Sequence, residues 1–360
     1  MKKVFIVLEN GRVFEGKRFG ADGECTGELV FTTGMDAYME TLTDPSYFGQ
    51  IVIQTFPLIG NYGSIPDDAE SRKPFACGYI VREQCETPSN FRSEGTLDQY
   101  LKDTGIIGVY DVDTRELTQI IRQHGTMNAR ITEVPEGIDM DDIKNYEVKS
   151  AVEAVTTAKN YCIKADQEKY RVALMDYGVQ KSIISELTGR GCTVTVFPAG
   201  TSAEEVLNTE PDGIVLSGGP GDPGTNTSCI EEIKKMIGKS PIFGVGLGHQ
   251  LLALAAGGKT ERLRHGHRGA NQPIKSLTDG KTFISAQNHS YTVRCDSIEK
   301  AGGRLTFVNA NDSTCEGIDY PKKSAFSVQF YPKLCCSSKD TRLLFDNFIS
   351  MMGGKDNASE

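Results

Sequence analysis

A chain of 360 residues with 38% hydrophobic and 24% charged side chains carries enough apolar material for two cores, which excludes a disordered, collagen-like or coiled-coil polypeptide. Its 39 Lys and Arg against 48 Asp and Glu leave a net charge of −9, and no long basic block offers a surface to nucleic acid or to an anionic membrane. Ten scattered cysteines without a CxxC pair, and no stretch approaching the ~18–20 apolar residues of a membrane helix, fit a cytoplasmic chain with reduced thiols.

The first ~130 residues read as β-rich. The run Val4–Leu8 is broken by Glu9, too soon for an export signal, and reads as a first strand. Leu29–Thr32, Ile51–Thr55 and Cys77–Val81 are further short β-branched runs between Gly, Asn, Asp and Pro turns. Arg115–His124 has Leu117, Ile120 and Ile121 at helical spacing and Gly125 just past its end. From 135 to 169 the chain turns polar and acidic and loses hydrophobic rhythm, as a linker would, with room for a short helix. The expected division is 1–134, a linker region 135–169, a second domain 170–352, and a frayed polar tail 353–360.

After Tyr170 strands and helices alternate. Arg171–Met175, Thr193–Phe197, Gly213–Leu216 and Pro241–Val245 read as buried strands, and Val179–Leu187 and Gln250–Ala256 as helices. Phe283–Ala286 and Phe326–Phe330 are later strands, and Leu343–Met352 is a closing helix. Continuous apolar strands alternating with helices imply an α/β fold of the Rossmann-like or flavodoxin-like kind, a parallel sheet covered on both faces. Such sheets take their ligands at the C-terminal ends of the strands.

The segment Pro241–Gln250 joins a strand directly to a helix through small residues, the layout of a nucleophile elbow. By itself a glycine-rich turn of this kind is as often purely structural. With its surroundings the chain resembles the class I glutamine amidotransferases, and among them the carbamoyl-phosphate synthetase small subunits. The resemblance rests on Thr33–Tyr38, Leu42–Tyr47, Pro57–Gly63, Asp113–Leu117 and His124–Met127 in the first part. In the second it rests on Leu216–Pro223, Leu247–Ala253, Gly266–Gly269 and Gln287–His289. The N-terminal block separates these subunits from other amidotransferases.

The resemblance implies a β-rich small-subunit N-terminal domain followed by a class I glutamine amidotransferase domain. Members hydrolyse glutamine and pass ammonia to a large subunit that makes carbamoyl phosphate, a precursor of arginine and pyrimidines. Their catalytic group is a Cys on the elbow with a distal His and Glu, because a thiolate must attack the carboxamide while an oriented imidazole moves the proton. Here the three corresponding positions are Gly246, Tyr331 and Lys333, so the resemblance implies an inactive glutaminase. No His lies beyond His289 to take over the distal role. A phenol with an ordinary pKa near 10 is a poor base at neutral pH. Cys335 and Cys336 lie a few residues beyond these positions, so a relocated nucleophile is conceivable, and a bland loop is the simpler reading of them.

The family's glutamine pocket maps onto Ser46, Gly219, Gly221, Leu247, Gln250, Asn288, Ser290 and Tyr291, with L-glutamine as the ligand. Backbone groups of Gly219, Gly221 and Ser290 would meet its α-amino and α-carboxyl ends, Gln250 would touch it with its side chain, and the Leu247 N–H would face the amide oxygen. The plainer reading keeps all of these as turn and packing residues. The spacing of His265 and His267 lacks the partners of a metal site, and no metal is expected. Gly218–Gly221 lacks the Lys-Ser/Thr of a phosphate loop. The resemblance places no cofactor on this chain, since ATP and magnesium belong to the large subunit. The expected partner is that large subunit. The alternatives are a stand-alone regulatory or glutamine-binding pseudo-amidotransferase and a glutaminase with a relocated nucleophile.

Overall fold

The computed structural model describes residues 2–332 and 339–353. It divides the chain into two compact units, Met1–Ala151 with Arg264–Gly269, and Val152–Leu263 with Ala270–Glu360.

The first unit is built on a closed barrel of seven strands. They are β1 (Lys3–Leu8), β2 (Val13–Gly20), β3 (Cys25–Thr32), β4 (Gln50–Gln54), β5 (Gly78–Ile80), β6 (Ile107–Tyr110) and β7 (Met127–Thr132), in the spatial order β1-β2-β6-β5-β4-β3-β7. Pairings from β3 through β4 and β5 to β6 are parallel and the others antiparallel. Both faces of β4 are buried. Ile51 and Ile53 join one apolar cluster while Val52 joins another, which is why the strand reads as a continuous apolar run instead of an alternation. The helix predicted over Arg115–His124 spans Thr114–His124; the Asp113 carboxylate caps it by accepting from the Glu116 N–H at 2.8 Å, and Gly125 ends it at φ 97°. Leu117, Ile120 and Ile121 are buried, as their spacing requires.

Strand β2 had no signal in the sequence, because Glu15, Lys17 and Arg18 interrupt it. Its pairing with β1 on one side and β6 on the other makes it a strand. Within 135–169 lie two short helices, Met140–Lys144 and Ala151–Val155, and a strand, β8 (Tyr161–Ile163). Ile143, Val152 and Val155 are buried.

The second unit holds a ten-stranded sheet. Its centre is five parallel strands in the order β10 (Cys192–Pro198), β9 (Tyr170–Asp176), β11 (Gly213–Leu216), β12 (Ile242–Val245) and β17 (Ala325–Val328). This 2-1-3-4-5 order is that of flavodoxin-like sheets. Alternate residues serve the two faces. Ala173, Met175, Ile214 and Leu216 pack with Val206, Ile233, Leu251 and Leu252, while Val172, Leu174, Val194 and Val215 pack with Ile183, Leu187, Phe345 and Phe348. Helices therefore cover both faces, as expected.

The sheet does not stop there. β8 adds an antiparallel edge to β10, and β13 (Thr260–Ser276), β14 (Thr282–Val293), β15 (Arg304–Asn309) and β16 (Cys315–Tyr320) extend the sheet past β17 in the order β16-β15-β13-β14. The sequence shows only part of this extension, because β13 is rich in Arg, His and Lys. Helix Thr227–Met236, also unanticipated, buries Cys229, Ile233 and Met236 at i, i+4 and i+7. The closing helix runs Leu343–Gly353, and 354–360 lie outside the described residues. No described helix is long and apolar enough to cross a membrane.

Candidate functional site

Strand β12 ends at Val245, and Leu247–Ala255 is helical from the second residue on, so Gly246 alone makes the turn. Its backbone sits at φ 56°, ψ −115°, a conformation that residues with a Cβ rarely adopt. The Gly246 N–H donates to the Val328 carbonyl at 2.9 Å, and its own carbonyl accepts from the His249 and Gln250 N–H groups at 3.1 and 3.3 Å. The sharp strand-to-helix turn read in the sequence is therefore present.

Small residues let the neighbouring backbones close on this turn. The Gly248 N–H donates to the Ser217 carbonyl at 2.9 Å, and a methyl group on Gly248 would lie 2.2 Å from the Leu216 carbonyl oxygen. A methyl on Gly219 would lie 2.1 Å from the Tyr177 carbonyl oxygen. Both positions admit only glycine. Gly221 adopts φ 89° in the loop that follows. Among the described residues, none accepts a hydrogen bond from the Leu247 N–H, the first of the helix.

The chain leaving β17 brings the second element. Gln329 donates its N–H to the Glu316 carbonyl and Tyr331 its N–H to the Ala286 carbonyl, both at 2.9 Å. These bonds anchor the backbone that carries the Tyr331 ring. A methyl on Gly246 would sit 3.6 Å from Tyr331 Cε1, and one on Gly218 would sit 3.2 Å from the same atom and 3.8 Å from the hydroxyl. The ring edge thus spans both glycines. Tyr331 is only 3% exposed. Gly246, Leu247 and Tyr331 are brought together; Lys333, Cys335 and Cys336 lie outside the described residues.

Gln250, on the first turn of the helix, is tied to the protein. Its Nε2 donates to the Tyr291 carbonyl and to Gln329 Oε1, each at 2.8 Å. Tyr291 and the half-buried Asn288 and Ser290 follow one another on β14. Gln329, which the sequence reading passed over as a mere flank of Tyr331, is the side chain that holds Gln250. No spacing rule in the sequence links the two.

His249 points the other way, into the core. It is fully buried, its Nδ1 is 2.8 Å from Ser327 Oγ, and burial pushes its pKa down to about 3. This neutral ring packs; it reaches no crevice. His289 places Nδ1 2.7 Å from the Tyr291 carbonyl and Nε2 3.1 Å from Gln287 Oε1, with Glu316 Oε1 at 3.9 Å. Both ring nitrogens therefore face oxygen atoms in the wall of the sheet. Ser46 belongs to the first unit, in the short 3-10 turn Pro45–Tyr47, where its N–H donates to Asp44 Oδ1 at 2.9 Å. His265 and His267 also belong to that unit; His265 lies against the Phe31 ring with centroids 5.8 Å apart.

Comparison with known proteins gives a consistent picture along the chain. Residues 6–131 match the family described as the carbamoyl-phosphate synthase small chain, CPSase domain, and residues 173–351 match glutamine amidotransferase class-I. The carbamoyl phosphate synthase small chain of Oceanobacillus iheyensis is 46% identical over 355 residues, covering 98% of this chain and 96% of that protein. The proteins of the same name from Clostridium perfringens and Fusobacterium nucleatum are each 46% identical as well. They cover 96% of this chain, and 99% and 96% of their own lengths.

Proposed function

Because the chain belongs to the carbamoyl phosphate synthase small chain family, we propose that it acts as the small subunit of such a synthase without hydrolysing glutamine itself, and supports synthesis from free ammonia by a large subunit. ATP and magnesium would bind on that large subunit, and this chain would carry no cofactor.

The observation that carries the reading is the elbow. Its backbone keeps the strained turn on which a nucleophile is presented, yet the presented residue is Gly246 and has no side chain. Nucleophilic attack on a carboxamide needs a thiolate or activated hydroxyl held within about 3–3.5 Å of the carbon, with a base in reach. The side chain standing over the turn is the Tyr331 phenol, where a triad would bring an imidazole. The described histidines nearest in sequence do not replace it, since His249 is locked in the core and His289 is engaged in β14.

The test is to co-express the chain with a large subunit, purify any complex, and follow glutamate release and carbamoyl phosphate formation with glutamine or with ammonium as nitrogen source. The expected result is a stable heterodimer that makes carbamoyl phosphate from ammonium, with no glutamate released above background. Glutamate release comparable to that of an intact relative would overturn the reading, as would failure to pair with a large subunit. The latter outcome would favour a stand-alone regulatory protein.

A further inference from the structure

We infer that Tyr331 is a steric plug that excludes glutamine from the crevice over the elbow, so that the chain has lost binding of the substrate as well as its hydrolysis. The inference rests on reading the space above Gly246 as the family's glutamine crevice.

The ring carbon Cε1 lies in ordinary van der Waals contact, 3.6 Å, with the place a Cβ on Gly246 would occupy, and closer still to the corresponding place on Gly218. In a working elbow, the nucleophile's sulfur and the carboxamide it attacks, whose carbon must approach to about 3–3.5 Å, need the space just beyond that Cβ, and the phenol borders it. Two sets of heavy atoms cannot share one volume in a close-packed interior. The ring is no loose flap. It is 3% exposed, it belongs to the same apolar cluster as Val245, Ala286, Val328 and Phe330, and its backbone is pinned by the bond from its N–H to the Ala286 carbonyl. Swinging it out would cost buried apolar area.

Two further features fit a filled crevice. Gln250 spends its amide donors on the Tyr291 carbonyl and on Gln329, so its NH2 group is committed to the protein. Gly246 also adds no side-chain atoms beside the phenol, and even a Cβ there would lie at ordinary contact distance from the ring. Restoring a cysteine at position 246 alone would not rebuild the site, because a phenol would still stand at position 331 in place of an imidazole.

The experiment is isothermal titration of L-glutamine, at concentrations into the millimolar range, into the purified full-length chain and into Tyr331→Phe, Tyr331→His and Tyr331→Ala variants. Cooperative melting of each is checked first. The wild type and Tyr331→Phe should show no saturable heat. Tyr331→Ala and Tyr331→His should gain binding at least tenfold tighter than any wild-type signal. If Tyr331→Ala does not fold, the less drastic Tyr331→His carries the test. Wild-type binding as tight as that of the opened variants would overturn the plug, and so would folded variants that still bind nothing. Neither result bears on the proposed function, which is read from glutamate release. A chain that binds glutamine and releases no glutamate would lose the plug and keep the function.

Discussion

The glycines of the elbow fall into two groups. Gly219 and Gly248 face backbone carbonyl oxygens so closely that a methyl group would overlap them, at 2.1 and 2.2 Å. Gly246 faces nothing nearer than 3.3 Å, and its positive φ, more than crowding, argues for glycine. The first group is the frame: it lets helix and loops close on the ends of the parallel strands, and a side chain there must displace backbone. Gly246 is the residue the frame presents. The packing interactions of the frame do not depend on a side chain at position 246, so the turn forms with a glycine there.

That contrast can be tested by substitution. Gly248→Ala should cost the most, on the order of 3 kcal/mol, because the new methyl must displace the Leu216 backbone. Urea unfolding of the purified chain measures it, and a loss below about 1 kcal/mol would mean the frame is softer than the distances indicate.

Next comes the buried ring at the base of the same helix. The His249 pKa is held down to about 3 in the folded chain against an ordinary 6.5, so its contribution is complete above pH 6.5. As pH falls below that value the unfolded chain takes up a proton that the native chain refuses. Stability should decline by up to about 1.4 kcal/mol per pH unit toward the folded pKa. The nearby Cys315 thiol, 4.0 Å from His249 Nε2, is pushed upward by burial and stays neutral in this range. Unfolding midpoints for the wild type and for His249→Gln, measured from pH 7 down to about 4.5, should show a shallower slope in the variant by about one proton.

Gly246→Ala should cost less than Gly248→Ala, roughly 1–2 kcal/mol, since it pays for a positive φ and one tight contact with Gly218. Equal losses at 246 and 248 would erase the distinction between frame and presented residue. The smallest effect sets the scale. Asp113→Ala, which removes an ordinary helix cap in the first unit, should cost about 1 kcal/mol by the same measurement.

Much of the architecture was readable before the structure. Strands buried on both faces, such as Gln50–Gln54 and Gly213–Leu216, announce themselves as unbroken apolar runs, and the helix Thr114–His124 shows its period, cap and terminating glycine. Strands carrying charge were not readable. Val13–Gly20 and Thr260–Ser276 alternate poorly and are strands because their neighbours supply the ladder. Helix Thr227–Met236 did show its i, i+4, i+7 signal and was overlooked.

At the site, residue identities alone established that position 246 lacks a side chain and that a tyrosine stands at 331. Identity is a local property and needs no coordinates. The placement of the Tyr331 ring across Gly218 and Gly246, the tie between Gln250 and Gln329, and the inward turn of His249 all join residues 78 to 113 positions apart along the chain or set a side chain's direction. Such contacts arise when separate strands and helices pack into one volume, and excluded volume and burial, which have no linear signature, select among them.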